Sequence, residues 1–223
     1  MNKGIKIVLA FIIISVAYLI SLDFRPYPLD FIVKATPIFL LIYYSYTELE
    51  GKLRTFTTLA LLFSSFGDIF LSINIQNSFL FGLSSFLIGH IFYIAAFWGL
   101  KNKTRHMTKM LLTIVVLGMT ATMGVKVIPI AGELAIPVSA YISVIASMGV
   151  FAIFAWRHSL LHFFGAFSFI ISDSMIAWNK FIEPIPNERY LIMTTYYVAQ
   201  LLILRGILNL QKENKALVDN TNI

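Results

Sequence analysis

The chain has 223 residues, of which 58% are hydrophobic and only 13% charged, with a mean hydropathy of +0.81. Ordinary globular domains carry about 25% charged residues, so this composition excludes a soluble fold and points to an all-α polytopic membrane protein. Cysteine is absent, which removes disulfides and thiolate metal sites, and the net charge of +6 sits in short loops, where the positive-inside rule accounts for it without a nucleic acid partner.

Eight apolar segments follow in order, at residues 5–21, 30–47, 53–73, 78–100, 108–126, 134–156, 160–181 and 190–210. Each approaches the ~20 residues needed to cross about 30 Å of hydrocarbon as a helix. The first follows Lys3 and Lys6 but lacks a small-x-small cleavage site, so it reads as an uncleaved first helix rather than a signal peptide. With the N-terminus cytoplasmic, that side receives Lys3, Lys6, Lys52, Arg54, Lys101, Lys103, Arg105, Lys109, Arg157, Arg205, Lys212 and Lys215. The other side receives Arg25, Lys34, Lys126, Lys180 and Arg189. This bias predicts both termini inside, and an even number of spans requires that the two termini agree. Residues 1–210 are expected to form a single eight-helix domain, with no soluble domain appended, and residues 211–223 a short polar tail that frays.

The stretch from Ser64 to Tyr93 is almost wholly apolar but contains Asp68 and His90, and a second carboxylate, Asp173, has the same setting in SFIISDSMIAWNKF. An ionisable group in a span costs roughly 2.5–3.5 kcal/mol on insertion scales, so it faces a bundle interior and marks a functional site. Helical rise puts Asp68 ~8 Å and Asp173 ~12 Å below the outer ends of their spans, with His90 at ~18 Å, Tyr196 and Tyr197 at ~10 Å and Gln200 at ~15 Å. Lys34 falls near the outer end of the second span. Gly82, Phe86, His90 and Tyr93 share one side of a helix, as do Gly165, Phe169 and Asp173, with Ser172 beside it. The expectation is that Asp68 and Asp173 meet inside the bundle. Asn74 and Asn179 each follow an aspartate by six residues, a faint internal similarity that coincidence also explains.

Four motifs, in order, carry a resemblance: FGDIFL, GLSSFLIGHIFY, GAFSFIISDSMIAWNKF and the closing YYVAQLLI, accompanied by Lys34 with Pro37 and Pro137 with Tyr141. Together they resemble the YhhN family of integral membrane proteins, whose animal members are lysoplasmalogenases. The resemblance covers nearly the whole chain. It implies hydrolysis of the vinyl ether bond of a lysoplasmalogen to a fatty aldehyde and glycerophosphoethanolamine or glycerophosphocholine, without a cofactor. It further implies a multi-pass protein of a bacterial cytoplasmic membrane, partnered by lysophospholipid and bilayer, with no obligate protein partner.

The chemistry suits the residues. Vinyl ethers yield to acid: a proton delivered to the β-carbon creates an oxocarbenium ion, and water then adds. One proton donor and one anion are needed, and two carboxyl groups in a low-dielectric pocket supply both, as in glycosidases. Asp68 and Asp173 are the expected catalytic pair, with the donor of the two left open. His90 is expected to orient water or a carboxylate. Tyr93, Ser172, Tyr196, Tyr197 and Gln200 complete the polar pocket, and Lys34 is expected to bind the lipid phosphate. Three rival readings are a zinc hydrolase using His158 and His162 at i, i+4, a proton-coupled transporter or lipid carrier using two intramembrane carboxylates, and a hydrolase of another lysolipid.

Overall fold

The computed structural model describes residues 3–100, 107–155 and 160–221. Among these, eight α-helices are linked by short turns, and there is no strand: α1 Lys3–Ser21, α2 Asp30–Glu48, α3 Gly51–Ser72, α4 Ser78–Trp98, α5 Met107–Val127, α6 Ala135–Ala155, α7 Leu161–Phe181 and α8 Glu188–Thr221. Seven are long and apolar enough to cross a membrane. The exception is α2, where Asp30, Lys34 and a run of tyrosines lower the hydropathy. The outer faces of α1 and α5 carry exposed aliphatic residues such as Ile13, Ile20, Ile114 and Val115. A bilayer solvates such faces and needs no protein partner to cover them.

Helices already surrounded by apolar solvent gain little from burial alone, so they associate through close packing and polar contacts. Two pairs dominate here, α3 with α4 and α7 with α8, while α2 packs on α3 and α4 on α6. Glycine sets the closeness of the α7–α8 seam. A methyl group on Gly165 would lie 2.6 Å from the Ile203 amide nitrogen and 2.8 Å from the Ala199 carbonyl oxygen. A methyl on Gly206 would lie 2.4 Å from the His162 amide nitrogen. Backbone cannot yield as a flexible side chain does, so alanine at either position would push α8 off α7.

The turns feeding α4 and α8 each pass through a left-handed asparagine, Asn77 (φ 61°) and Asn187 (φ 55°), a conformation asparagine tolerates better than most residues. Asn179 accepts a hydrogen bond from the Ile185 amide (2.9 Å), which gives it a local reason to be asparagine in the α7–α8 turn. The start of α1, the α2–α3 turn and the end of α8 share one end of the bundle, joined by Lys3–Glu48 (3.4 Å) and Lys215–Glu50 (2.7 Å) ion pairs. At the other end Tyr190 donates to Asp23, and Arg25 pairs with Asp30 (2.6 Å).

Residues 211–221 continue α8 as helix to Thr221. The Gln211 side chain explains why: its amide donates to the Glu48 carbonyl (3.1 Å) and its carbonyl accepts from the Glu50 amide (2.8 Å). A helix end otherwise left to water is thereby tied to the α2–α3 turn.

Candidate active site

Asp68 lies one turn before the end of α3 and is only 2% exposed. The Tyr196 hydroxyl on α8 donates to its Oδ2 (2.6 Å), and Lys34 Nζ on α2 lies 3.3 Å from its Oδ1. Lys34 also donates to the Asp68 carbonyl (3.3 Å), and Tyr197 donates to the Lys34 carbonyl (2.7 Å). The result is a buried ion pair with its own hydrogen-bonding shell, drawn from α2, α3 and α8. Desolvating two charges is offset only when geometry and extra hydrogen bonds are this complete.

Asp173, on α7, keeps different company. The Tyr141 hydroxyl on α6 donates to its Oδ2 (2.5 Å), and His90 Nε2 on α4 lies 2.9 Å from that hydroxyl and 3.3 Å from the same carboxylate oxygen. The imidazole stands edge-on to Phe169, with ring centroids 4.6 Å apart. Carboxyl, phenol and imidazole therefore form a continuous path along which a proton can be redistributed.

Aromatic rings separate the two clusters. Phe86 and Phe169 each meet Tyr196 edge-to-face, at 5.8 and 5.4 Å between centroids, and Phe169 also meets His90. One turn beyond His90, Tyr93 donates to Gln200 Oε1 (2.5 Å) and binds α4 to α8. Ser172 donates to the Ile192 carbonyl (3.1 Å) and Ser168 to the Thr195 carbonyl (2.8 Å), stitching the α7–α8 seam.

A cleft bounded by α3 to α7 holds about 640 Å³ of unfilled space including its mouth. Its walls are apolar, with Leu83, Phe86, Ile142 and Ile170 prominent, and the one carboxyl on them is Asp173, next to Tyr141. Asp68 does not line it. The two aspartates are thus in the same half of the bundle but in separate hydrogen-bonded groups, and only Asp173 lines the cleft.

Lys34 is not near the surface as the helix depth suggested. It is 8% exposed, and its ammonium faces Asp68 because α8 covers it through Tyr197. His158 lies outside the described residues. His162 is fully buried beside Phe97 and under Gly206 of α8. Tyr141 is the residue that local reading passed over as a site member. Its proximity to Pro137 in a family-like pattern was the available signal, but nothing in α6 points to Asp173 on α7.

The pattern that defines the YhhN family matches residues 29–207, which include every group in both clusters. The chain belongs to the YhhN family. Among curated relatives of this YhhN protein, Lysoplasmalogenase TMEM86A of Homo sapiens is 34% identical over 186 residues, covering 77% of this chain and 75% of the relative. Lysoplasmalogenase TMEM86B of Sus scrofa is 31% identical, covering 81% and 76%. A Lysoplasmalogenase of Mycobacterium bovis is 32% identical, covering 70% and 61%. No solved structure matches.

Proposed function

We propose that this YhhN protein is a lysoplasmalogenase-like hydrolase that cleaves the vinyl ether bond of a lysophospholipid by acid catalysis. The observation that carries the reading is the placement of Asp173: a single carboxyl on an apolar cleft, backed by Tyr141 and His90. Relatives named lysoplasmalogenases, 31–34% identical over most of the chain, support the reaction class.

In this mechanism Asp173 enters protonated and transfers its proton to the β-carbon of the vinyl ether, as general acid. The C=C π pair forms the new C–H bond, and the adjacent carbon becomes the oxocarbenium centre. Water adds there and returns a proton to the Asp173 carboxylate, giving a hemiacetal. Collapse of the hemiacetal releases a fatty aldehyde and the glycerol hydroxyl, so one water is consumed and no electron is exchanged. Tyr141 and His90 hold the carboxyl in line and relay its proton. Asp68 is the anion of the pair. Paired with Lys34 and hydrogen-bonded by Tyr196, it forms an ion pair behind Phe86 and Phe169, whose dipole rather than a net charge bears on the developing cation. Tyr93, Ser172, Tyr197 and Gln200 support the site by holding α4, α7 and α2 to α8.

In the same reading α2 crosses the bilayer with the other seven helices, both termini are cytoplasmic, and the protein resides in a bacterial cytoplasmic membrane. Purified protein is tested with a lysoplasmalogen and, in parallel, with its saturated alkyl-ether analogue, assaying free fatty aldehyde. Aldehyde from the first substrate alone supports the proposal. A folded preparation that binds both lipids and releases no aldehyde overturns it.

A further inference from the structure

The cleft has two neighbours that the reaction itself does not use. Beside it, Lys180 Nζ lies 5.3 Å from the ring centroid of Phe79, which lines the cleft. Lys126, in the last turn of α5, has Nζ 4.9 Å from the Trp178 ring centroid. Both lysines are exposed, and neither forms an ion pair among the described residues. Lys180 follows Asp173 by seven residues, two turns on, so it shares a face of α7 with Asp173 and sits about 10 Å nearer the helix end. The Glu183 carboxylate is close by and accepts from Trp178 Nε1 (3.3 Å).

The second neighbour is a groove between α5 and α7, lined by Met119, Ile171, Met175, Trp178 and Ile185. Met123 and Ser174 line both this groove and the cleft. Met123 and Ser174 are thus the thin partition between the cleft and the groove, beside Asp173, where α5 packs lightly on α7. Ile170, which also lines the cleft, is one turn below Asp173, about 4.5 Å by helical rise.

We infer that the lysophospholipid of the proposed function is held in one orientation, with its phosphate on Lys126 and Lys180, its ether linkage at Asp173, and its hydrocarbon chain leaving between α5 and α7 past Met123 and Ser174. This inference rests on the hydrolase reading for what happens at Asp173, but not for the binding itself. Only the glycerol backbone separates the phosphate of such a lipid from its ether oxygen. A lysine bending back along two helical turns closes that span. Glu183 and the Trp178 ring are placed for the amine of the headgroup. Two lysines resting on aromatic rings keep their charge available because, among the described residues, no carboxylate comes within ion-pair distance of either.

The test is binding, in lipid nanodiscs, of a hexadecyl-ether lysophosphoethanolamine, which has the phosphate but no cleavable bond, and of hexadecyl glycerol, which lacks the phosphate. In the Lys126→Gln/Lys180→Gln double variant, affinity for the phosphate-bearing ligand falls roughly tenfold or more, as loss of charge-assisted hydrogen bonds predicts, while hexadecyl glycerol binds as before. Lys180→Arg, which keeps the charge, retains binding. Ser174→Phe weakens the hexadecyl ligand but not a butyl analogue. Equal loss for both ligands in the double variant, or no loss for either, overturns the phosphate assignment. Indifference of the hexadecyl ligand to Ser174→Phe overturns the side exit. Should binding follow expectation while no lysoplasmalogen yields aldehyde, the hydrolase reading fails and the lipid site remains.

Discussion

Asp68 and Asp173 begin as near equals, each an isolated carboxylate in an apolar helix of the same half of the bundle, and their surroundings make them different. Asp68 is met by a cation, Lys34, and by the Tyr196 hydroxyl, so its charge is balanced, and it does not line the cleft. Asp173 is met by a phenol and an imidazole, groups that exchange protons, and it lines the cleft. The lesson is that depth in the membrane does not assign a role to a buried acid. The groups that reach it from other helices do.

That contrast breaks most sharply at Asp173. Asp173→Asn keeps the size and most of the hydrogen bonding, so the protein should melt in detergent at nearly the same temperature while kcat for lysoplasmalogen hydrolysis falls about 10²–10⁴-fold, the usual share of a general acid. Substantial residual turnover would transfer the proton donor elsewhere. Asp68→Asn should behave in the opposite sense, as a stability variant. It leaves the Lys34 ammonium buried without its partner, at a cost of about 3–5 kcal/mol, read as a lowered midpoint of unfolding. Replacing the pair together, Lys34→Met with Asp68→Leu, should recover most of that stability. Turnover that stays low in this double variant keeps Asp68 in the mechanism; turnover that returns makes it scaffold alone.

A finer probe of the Asp173 side is Tyr141→Phe, which removes one hydrogen bond to a charged or shared-proton carboxyl, worth about 1.5–3 kcal/mol. A kcat decrease of tenfold to a hundredfold with KM little changed is expected; an effect on KM alone would make Tyr141 a substrate contact instead. Far from both clusters, Glu50→Gln should barely alter turnover. The Lys215 hydrogen bond holds the Glu50 carboxyl below its ordinary range. A depressed carboxyl stabilises the folded tail above the unfolded value, and that contribution fades as pH falls through the folded one. Amide exchange at the end of α8 should therefore differ between wild type and Glu50→Gln at neutral pH and converge in acid.

Much was legible because it depends on neighbours in sequence. The length and polarity of the first seven apolar runs give helices within a few residues of those observed, and the i, i+4 spacing of Gly82, Phe86 and His90 gives the inward face of α4. The docking of the tail is not legible locally, because it comes from Gln211 meeting the α2–α3 turn, some 160 residues earlier in the chain. Lys34 was placed at the surface for a similar reason. A depth along one helix says nothing about whether another helix lies over the side chain.

What the sequence by itself determined is the class of protein, its helices, its family and the short set of polar residues that a membrane interior would not tolerate idly. Those follow from composition, from the periodicity of a single helix and from motifs in order along the chain. Which polar residues touch was decided only by the tertiary structure. Lys34 and Asp68 are 34 positions apart, Tyr196 and Asp68 128, and His90 and Asp173 83. No periodicity links positions on different helices. Their meeting is set by how closely the α7–α8 and α3–α4 seams pack, and glycines at Gly165 and Gly206 govern the first of these by letting backbone meet backbone.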